Sequence, residues 1–280
     1  MNNTTDINSA FTASYTIVLI FGVPLNGTAL WIFLSRYRLR SPPVIYIANL
    51  ATADLLFTIS LPLRIYYHAT GRWPFGEVLC TIITTLFRVN IISSSIFITL
   101  ISMDRFLAVV YPLRTRTIRT TKFAGVSCGI AWMLMVALGT HIALTHHKDL
   151  KSEHKCFKPQ KEETIVIVAI VVFLLVILNI FFTMIVIKTL HKDLIDPLRR
   201  KNKIMCLFIV NMLIFVVFFL PLSILLTWHY FHPAYSRELS ILICHTSFNC
   251  CLDPVIYFFS LDALWETKNN TEMEMTPTEG

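Results

Sequence analysis

Long apolar runs, separated by short segments that hold most of the charged residues, make up most of the chain. We count seven runs: Thr12–Leu34, Val44–Tyr67, Val78–Tyr111, Phe123–Leu144, Thr164–Leu190, Ile204–Trp228 and Leu239–Phe259. Each is long enough to cross a hydrocarbon layer of about 30 Å as an α-helix. The pattern predicts an all-α membrane protein, a bundle of seven transmembrane helices.

The third run shows most clearly how the chain combines lipid-compatible and charged segments. Before the adjacent pair Asp104 and Arg105 it contains a single charged residue, Arg88, and Pro112 follows its end. An acid and a base are costly inside lipid, so this pair is expected at the water boundary or facing the interior of the bundle. The placement suggests a switch that faces one aqueous compartment.

Composition supports the membrane class, and the distribution of basic residues indicates an orientation. Of the 280 residues, 55% are hydrophobic and 15% are charged, against about 25% charged in soluble domains. Fifteen of the 24 lysines and arginines lie in the loops after the first, third and fifth runs and in the C-terminal tail. The positive-inside rule therefore predicts an extracellular tail 1–11, a seven-helix domain 12–260 and a cytoplasmic tail 261–280.

This bias also accounts for most of the net charge of +7, so the charge does not indicate nucleic-acid binding. Asn2 and Asn3 each begin an Asn-x-Thr sequon on the predicted outer side and are candidate glycan sites. Two of the seven cysteines, Cys80 and Cys156, are placed at the same outer face, where disulfides persist.

Three of the ionisable residues within the predicted spans require an explanation. Asp54 is an isolated carboxylate near the middle of the second span, where it needs a proton, a cation or a partner. Arg64 either extends to the lipid head groups or points into the bundle as a ligand for an anion. Arg88 in the third span is predicted to be a second buried base, and the close packing that explains the small polar residues near it does not explain an arginine.

Enzyme and metal motifs do not emerge. The sequence has no Walker A motif, no His-Glu-x-x-His and no paired Cys-x-x-Cys, and its histidines are scattered. No tandem or inverted repeat of spans is visible, which argues against a transporter. We therefore expect a protein that is not an enzyme.

Seven motifs, in order along nearly the whole chain, resemble the rhodopsin-like (class A) G-protein-coupled receptors. They are Asn26 in the first span, Asn-Leu-Ala-Thr-Ala-Asp54 in the second, Cys80 and Asp104-Arg105-Phe106 in the third, Trp132 in the fourth, Phe-Phe-Leu-Pro221 in the sixth and Asp253-Pro254-Val-Ile-Tyr257 in the seventh. Within that family, the stretches LPLRIYY, WPFGEVLC, SMDRFLAVVYPLR and NCCLDPVIYFFS resemble the branch of lysophosphatidic-acid, purinergic and protease-activated receptors.

The resemblance implies roles for these residues in a plasma-membrane receptor that activates a heterotrimeric G protein. It implies a disulfide between Cys80 and Cys156 and no cofactor other than an allosteric sodium ion, held by Asp54, Ser94, Asn249 and Asp253. It further implies a coupling switch in which Arg105 pairs with Asp104 at rest, next to Phe106, while Pro221 lets the sixth helix swing outward and Tyr257 braces the open state.

For the ligand, the basic residues near the outer face favour an anionic head group, and the apolar fourth and fifth spans suit an acyl chain. The candidate ligand-binding residues are Arg64, Tyr67, Phe87, Arg88, Lys155, Lys158, His229 and Arg237. We therefore expect an anionic lysophospholipid such as lysophosphatidic acid.

Other functions stay open from the sequence. A nucleotide or a small carboxylate would also satisfy the arginines. A scavenger receptor that signals weakly or not at all is the alternative suggested by the fifth span, where Val176 and Met184 replace the Pro and Tyr usual in the family. A channel would need a continuous polar stripe, and only the surroundings of Asp54 are polar.

Overall fold

The computed structural model is a bundle of long helices. It describes residues 3–115, 117–153, 156–157, 162–192, 198–231 and 236–254. The helices are α1 (Asn3–Ser35), α2 (Pro42–Thr70), α3 (Gly76–Val110), a short α4 (Pro112–Thr115), α5 (Thr121–Glu153), α6 (Glu162–Lys192), α7 (Leu198–Phe231) and α8 (Ser236–Thr246). A turn at 247–248 separates α8 from a further helical segment, 249–254.

Six of these helices are long and apolar enough to span a membrane over the part of the chain described: α1, α2, α3, α5, α6 and α7. The seventh predicted span corresponds to α8 and segment 249–254, and the residues beyond 254 lie outside the description. The helices agree with the apolar runs in the sequence. Two helices extend well beyond their runs: α1 begins at Asn3, before the run that starts at Thr12, and α5 continues to Glu153, past the run that ends at Leu144.

Local sequence explains both ends of α2. Pro42 and Pro43 occupy the first turn of α2, where the missing N–H groups have no intrahelical partner to lose. At the other end Gly71 adopts a left-handed conformation, with φ of 66°, and its N–H donates to the carbonyl of Tyr67. This is the usual glycine stop of a helix, and it turns the chain toward α3.

Helix α3 lies at the centre of the bundle, packed against α2, α5 and α6, while α1 lies beside α2 and α7 lies between α6 and α8. In α2 and α3, 67% and 56% of the most apolar window is buried, against 28% in the other four spanning helices. The outer helices instead expose large apolar side chains, such as Trp31, Met133 and Val136, as lipid-facing surfaces do.

Single side-chain hydrogen bonds join neighbouring helices. Trp132 of α5 donates to Asn49 Oδ1 of α2 over 2.8 Å, and Asn179 of α6 donates to Ser102 Oγ of α3 over 2.8 Å. Asn26 of α1 donates to its own helix and, over 2.8 Å, to the carbonyl of Cys250. Because lipid offers polar groups no partner, such bonds favour one packing of the helices.

Candidate functional site

A disulfide lies at the end of the bundle that carries Cys80. Cys80, in the first turns of α3, is bonded to Cys156, which lies 76 positions later between α5 and α6. This pairing, expected from the resemblance, places the neighbouring Phe157 against the C-terminal end of α2, with its ring centroid 4.6 Å from that of Tyr67.

Arg64 points into the bundle and lies among three aromatic rings. Its guanidinium carbon is 3.9 Å from the ring centre of Phe87 on α3, 5.1 Å from that of Tyr15 on α1 and 5.0 Å from that of Phe157. Such stacking stabilises the cation without satisfying its N–H groups. Arg64 Nε is buried and has no hydrogen-bond partner in the described part of the molecule, so the interior orientation is the one adopted.

His68, one helical turn after Arg64, lies in the same aromatic surroundings and was not predicted from the sequence. Its ring contacts those of Phe11, Tyr15 and Phe157, with centroids 5.0, 5.6 and 6.4 Å away. Both ring nitrogens are buried without a hydrogen-bond partner among the described residues. The i, i+4 spacing to Arg64 was the available signal, because it puts both side chains on one face of α2.

We call Arg64, His68, Tyr15, Phe87 and Phe157 the outer cluster. It brings together two of the predicted ligand residues, Arg64 and Phe87, and Tyr67 contacts its edge. Buried polar atoms are normally hydrogen-bonded, so several unpartnered nitrogens in one place indicate a site suited to a polar group.

The other predicted ligand residues are only partly described. Arg88 follows Phe87 on α3 and is half-buried. Lys155, Lys158 and the side chains of His229 and Arg237 lie outside the described residues, as do Asn2 and the side chain of Asn3. Their place relative to the outer cluster stays a prediction.

A second polar group lies deeper, around Asp54. The side chain is fully buried, and its Oδ1 accepts hydrogen bonds from Asn90 over 3.1 Å and from Ser94 over 3.3 Å. Asp54 Oδ2 is buried without a partner in the described structure. Asn90 was not recognised from the sequence as a partner of Asp54, because the two residues lie on different helices.

Segment 249–254 carries the other two predicted ion ligands. Asn249 Nδ2 donates to Asp253 Oδ2 over 2.7 Å, and both side chains are buried. Asn249 Oδ1 has no described partner. Thr58, one turn from Asp54, and Cys250 both lie next to Gly22 of α1, so this segment approaches α2 there.

At the opposite end of α3 the structure corrects the expected pairing of Asp104. Its carboxylate accepts two hydrogen bonds from Arg119, which lies between α4 and α5: Nε to Oδ1 and Nη2 to Oδ2, each 2.9 Å. The expectation that Asp104 pairs with Arg105 is therefore wrong for this structure. Arg105 Nη2 is buried without a described hydrogen-bond partner.

The remaining switch residues are placed as follows. The ring of Phe106 lies 5.2 Å from that of Phe182 on α6. Pro221 lies inside α7, beside an apolar groove of about 600 Å³ between α7 and α8. Tyr257 lies outside the described residues. Leu113 of α4, not predicted as functional, is 89% exposed at the Asp104 end.

Comparison with known proteins agrees with this architecture. Residues 25–257 match the family described as 7 transmembrane receptor (rhodopsin family). The chain is 33% identical over 290 aligned positions, gaps included, to human lysophosphatidic acid receptor 4, and the alignment covers 94% of this chain and 78% of that protein. It is 33% identical over 273 residues to chicken lysophosphatidic acid receptor 6, covering 89% of each.

A third relative, bovine lysophosphatidic acid receptor 5, is 32% identical over 279 aligned positions, which cover 90% of this chain and 76% of that receptor. The family match spans most of the chain and includes α2 and α3 in full, and with them Arg64, Phe87 and Asp54. The protein therefore belongs to the rhodopsin family of seven-transmembrane receptors, which are multi-pass proteins of the plasma membrane that couple to G proteins and are not enzymes.

Proposed function

We propose that this receptor is activated by an anionic lysophospholipid of the lysophosphatidic acid type, whose head group binds at the outer cluster. The observation that carries the proposal is the set of buried, unpartnered nitrogens of Arg64 and His68. A phosphate offers acceptors for Arg64 Nε and for the one N–H of a neutral His68, and arginine binds it through charge-assisted hydrogen bonds.

The relatives support the lipid class, since three of them are named as receptors for lysophosphatidic acid. The aromatic rings around Arg64 and His68 suit the part of the ligand next to the phosphate. An acyl chain extending between the helices contributes about 0.8 kcal/mol per buried CH₂ group. In addition to the outer cluster, Arg88, Lys155, Lys158, His229 and Arg237 are proposed to attract or contact the head group.

The proposed orientation puts the Cys80 end outside the cell and the Asp104 end in the cytoplasm, following the basic loops. A ligand then reaches the outer cluster from the extracellular side or from the membrane. At the cytoplasmic end, Arg105 and the exposed Leu113 contact the G protein once α7 bends at Pro221, and Tyr257 braces that state. The ligand acts by binding the active state more tightly than the resting one.

We also propose that Asp54 binds a sodium ion in the resting state, with Ser94, Asn249 and Asp253 contributing oxygen ligands. The unpartnered Asp54 Oδ2 and Asn249 Oδ1 supply acceptors of the kind that such a cation takes. A cation there offsets the cost of burying a carboxylate.

The test of the ligand class is GTPγS exchange on membranes that contain the receptor and a mixture of G proteins. The panel compares oleoyl-lysophosphatidic acid, other lysolipids, ATP and small carboxylates. Arg64→Ala is expected to lower the potency of lysophosphatidic acid by roughly ten- to a hundredfold, because a hydrogen bond to a charged group contributes about 1.5–3 kcal/mol. Arg72→Ala, at the exposed turn after α2, is the control and is expected to leave potency unchanged.

Three results would contradict the proposal. An unchanged potency in Arg64→Ala would remove the head-group site from the outer cluster. A response to ATP or a carboxylate with none to lysolipids would change the ligand class. No response to any member of the panel, with the receptor shown at the cell surface, would favour the weakly signalling scavenger.

A further inference from the structure

The bridge between Asp104 and Arg119 links α3 to the connection that follows α4. Both carboxylate oxygens of Asp104 accept from the same guanidinium, in the fork geometry that binds most strongly. The Asp104 side chain is 4% exposed and that of Arg119 24% exposed, so solvent screens this pair less than it screens a surface pair.

The backbone holds Arg119 in place for this contact. Its N–H donates to the carbonyl of Thr115 over 2.8 Å. Thr115 is itself buried, and its hydroxyl is bonded to the carbonyls of Leu107 and Tyr111 at the end of α3. The connection that carries Arg119 is therefore hydrogen-bonded to the end of α3, a few residues after Asp104 and Arg105.

Whether Arg105 is restrained depends on which guanidinium the Asp104 carboxylate binds. Asp104 is its neighbour in sequence, and helix α7, which must move for coupling, contains no Asp or Glu in residues 198–231. The carboxylate next to Arg105 in α3 is that of Asp104, and Arg119 already binds it. Consistent with this, Arg105 Nη2 has no described hydrogen-bond partner.

We propose that Arg119 is a positioning residue for G-protein coupling: by holding the Asp104 carboxylate it keeps that group from pairing with Arg105, which stays available to the G protein. Without Arg119, Asp104 would be a buried carboxylate with an adjacent guanidinium as its nearest counter-charge. The pair would then form and restrain Arg105. The proposal rests on the coupling established by family membership and is independent of the ligand class.

The test compares Arg119→Gln, Asp104→Asn and the double variant in GTPγS exchange, both without agonist and with oleoyl-lysophosphatidic acid as the probe. Arg119→Gln is expected to lower exchange at least about fivefold, the lower end of the usual range of coupling between two states. In the double variant the residue at position 104 can no longer act as an anion for Arg105, so exchange is expected to return toward the level of Asp104→Asn alone.

Two further variants keep the result interpretable. Arg114→Gln removes an exposed arginine from α4 and is expected to leave exchange unchanged. Arg119→Lys keeps a cation but cannot form the fork, so it is expected to give an intermediate rate, and it replaces the Gln variant if that one does not reach the cell surface.

Unchanged or faster exchange in Arg119→Gln would overturn the proposal, and so would a double variant as slow as Arg119→Gln. Agonist-free exchange separates this outcome from failure of the ligand proposal, because a receptor insensitive to lysophosphatidic acid still reports the effect of Arg119 on its basal rate.

Discussion

At the scale of single residues, the close contact of α1 with α2 depends on a glycine, which has no side chain. Gly22 of α1 faces α2 and segment 249–254, and a Cβ atom at this position would lie 2.7 Å from Thr58 Cγ2 and 3.5 Å from Cys250 Sγ. Thr58 is fully buried, and its hydroxyl donates to the carbonyl of Asp54 over 2.9 Å. Its methyl group therefore cannot turn away without losing that bond.

We expect Gly22→Ala to destabilise the receptor by about 1–3 kcal/mol, the usual cost of overpacking a core. Thermal unfolding in detergent micelles measures the effect. Gly27→Ala is the matched control in the same helix, because a Cβ atom there meets nothing within 4 Å. Equal melting temperatures for the two variants would show that α1 packs less closely against α2 than the structure indicates.

At the scale of elements, the covalent link between α3 and the connection from α5 to α6 positions one side of the outer cluster. Phe157 follows Cys156 directly and contacts Arg64, His68 and Trp73 through its ring. Because Phe157 takes a left-handed backbone conformation, with φ of 50°, neighbouring constraints are needed to hold it there.

The double variant Cys80→Ser with Cys156→Ser is expected to weaken binding of labelled lysophosphatidic acid by about tenfold, since the site must then be ordered at the time of binding. Phe157→Ala, which keeps the disulfide, is expected to lose a similar amount, because both changes remove the same ring from Arg64. Cys206→Ser, at an exposed free cysteine of α7, is the control. Unaltered binding in the disulfide variant would show that the disulfide does not contribute to the ligand site.

At the scale of the whole molecule, Asp54 connects helices that are distant in the sequence. It accepts hydrogen bonds from Asn90 and Ser94 of α3, and its neighbour Thr58 lies next to Gly22, which also adjoins Cys250 in segment 249–254. A cation at this point would hold α2, α3 and segment 249–254 in one arrangement. Its binding and that of an agonist are then reciprocally coupled.

We expect sodium chloride to lower the affinity of lysophosphatidic acid relative to potassium chloride at the same ionic strength, by about fivefold or more. Ser94→Ala should reduce this difference, because Ser94 bonds to Asp54. Ser93→Ala is the matched control, since the hydroxyl of Ser93 donates to the carbonyl of Asn90 instead. Equal sodium sensitivity in both variants would contradict the proposed site.

The sequence was most informative where the physical cause is local. The length and apolarity of each run predicted the helices, and Asp54 was recognised because a lone carboxylate in lipid demands a partner. Asn90 and Arg119 were not recognised as partners of Asp54 and Asp104, because nothing in the local pattern marks a contact made 36 or 15 residues away. His68 was missed because a histidine near a helix end is unremarkable until both of its nitrogens are found buried.

The sequence by itself predicted a bundle of seven membrane helices, since bilayer thickness and the burial cost of polar groups limit what such apolar runs can form. The ordered motifs added the resemblance to the receptor family. The tertiary structure decided which helices lie at the centre, which rings surround Arg64 and which cation holds Asp104. These contacts depend on helix packing and on the rotation of each helix about its axis. The local sequence pattern specifies neither. The functional contacts between helices therefore required the fold.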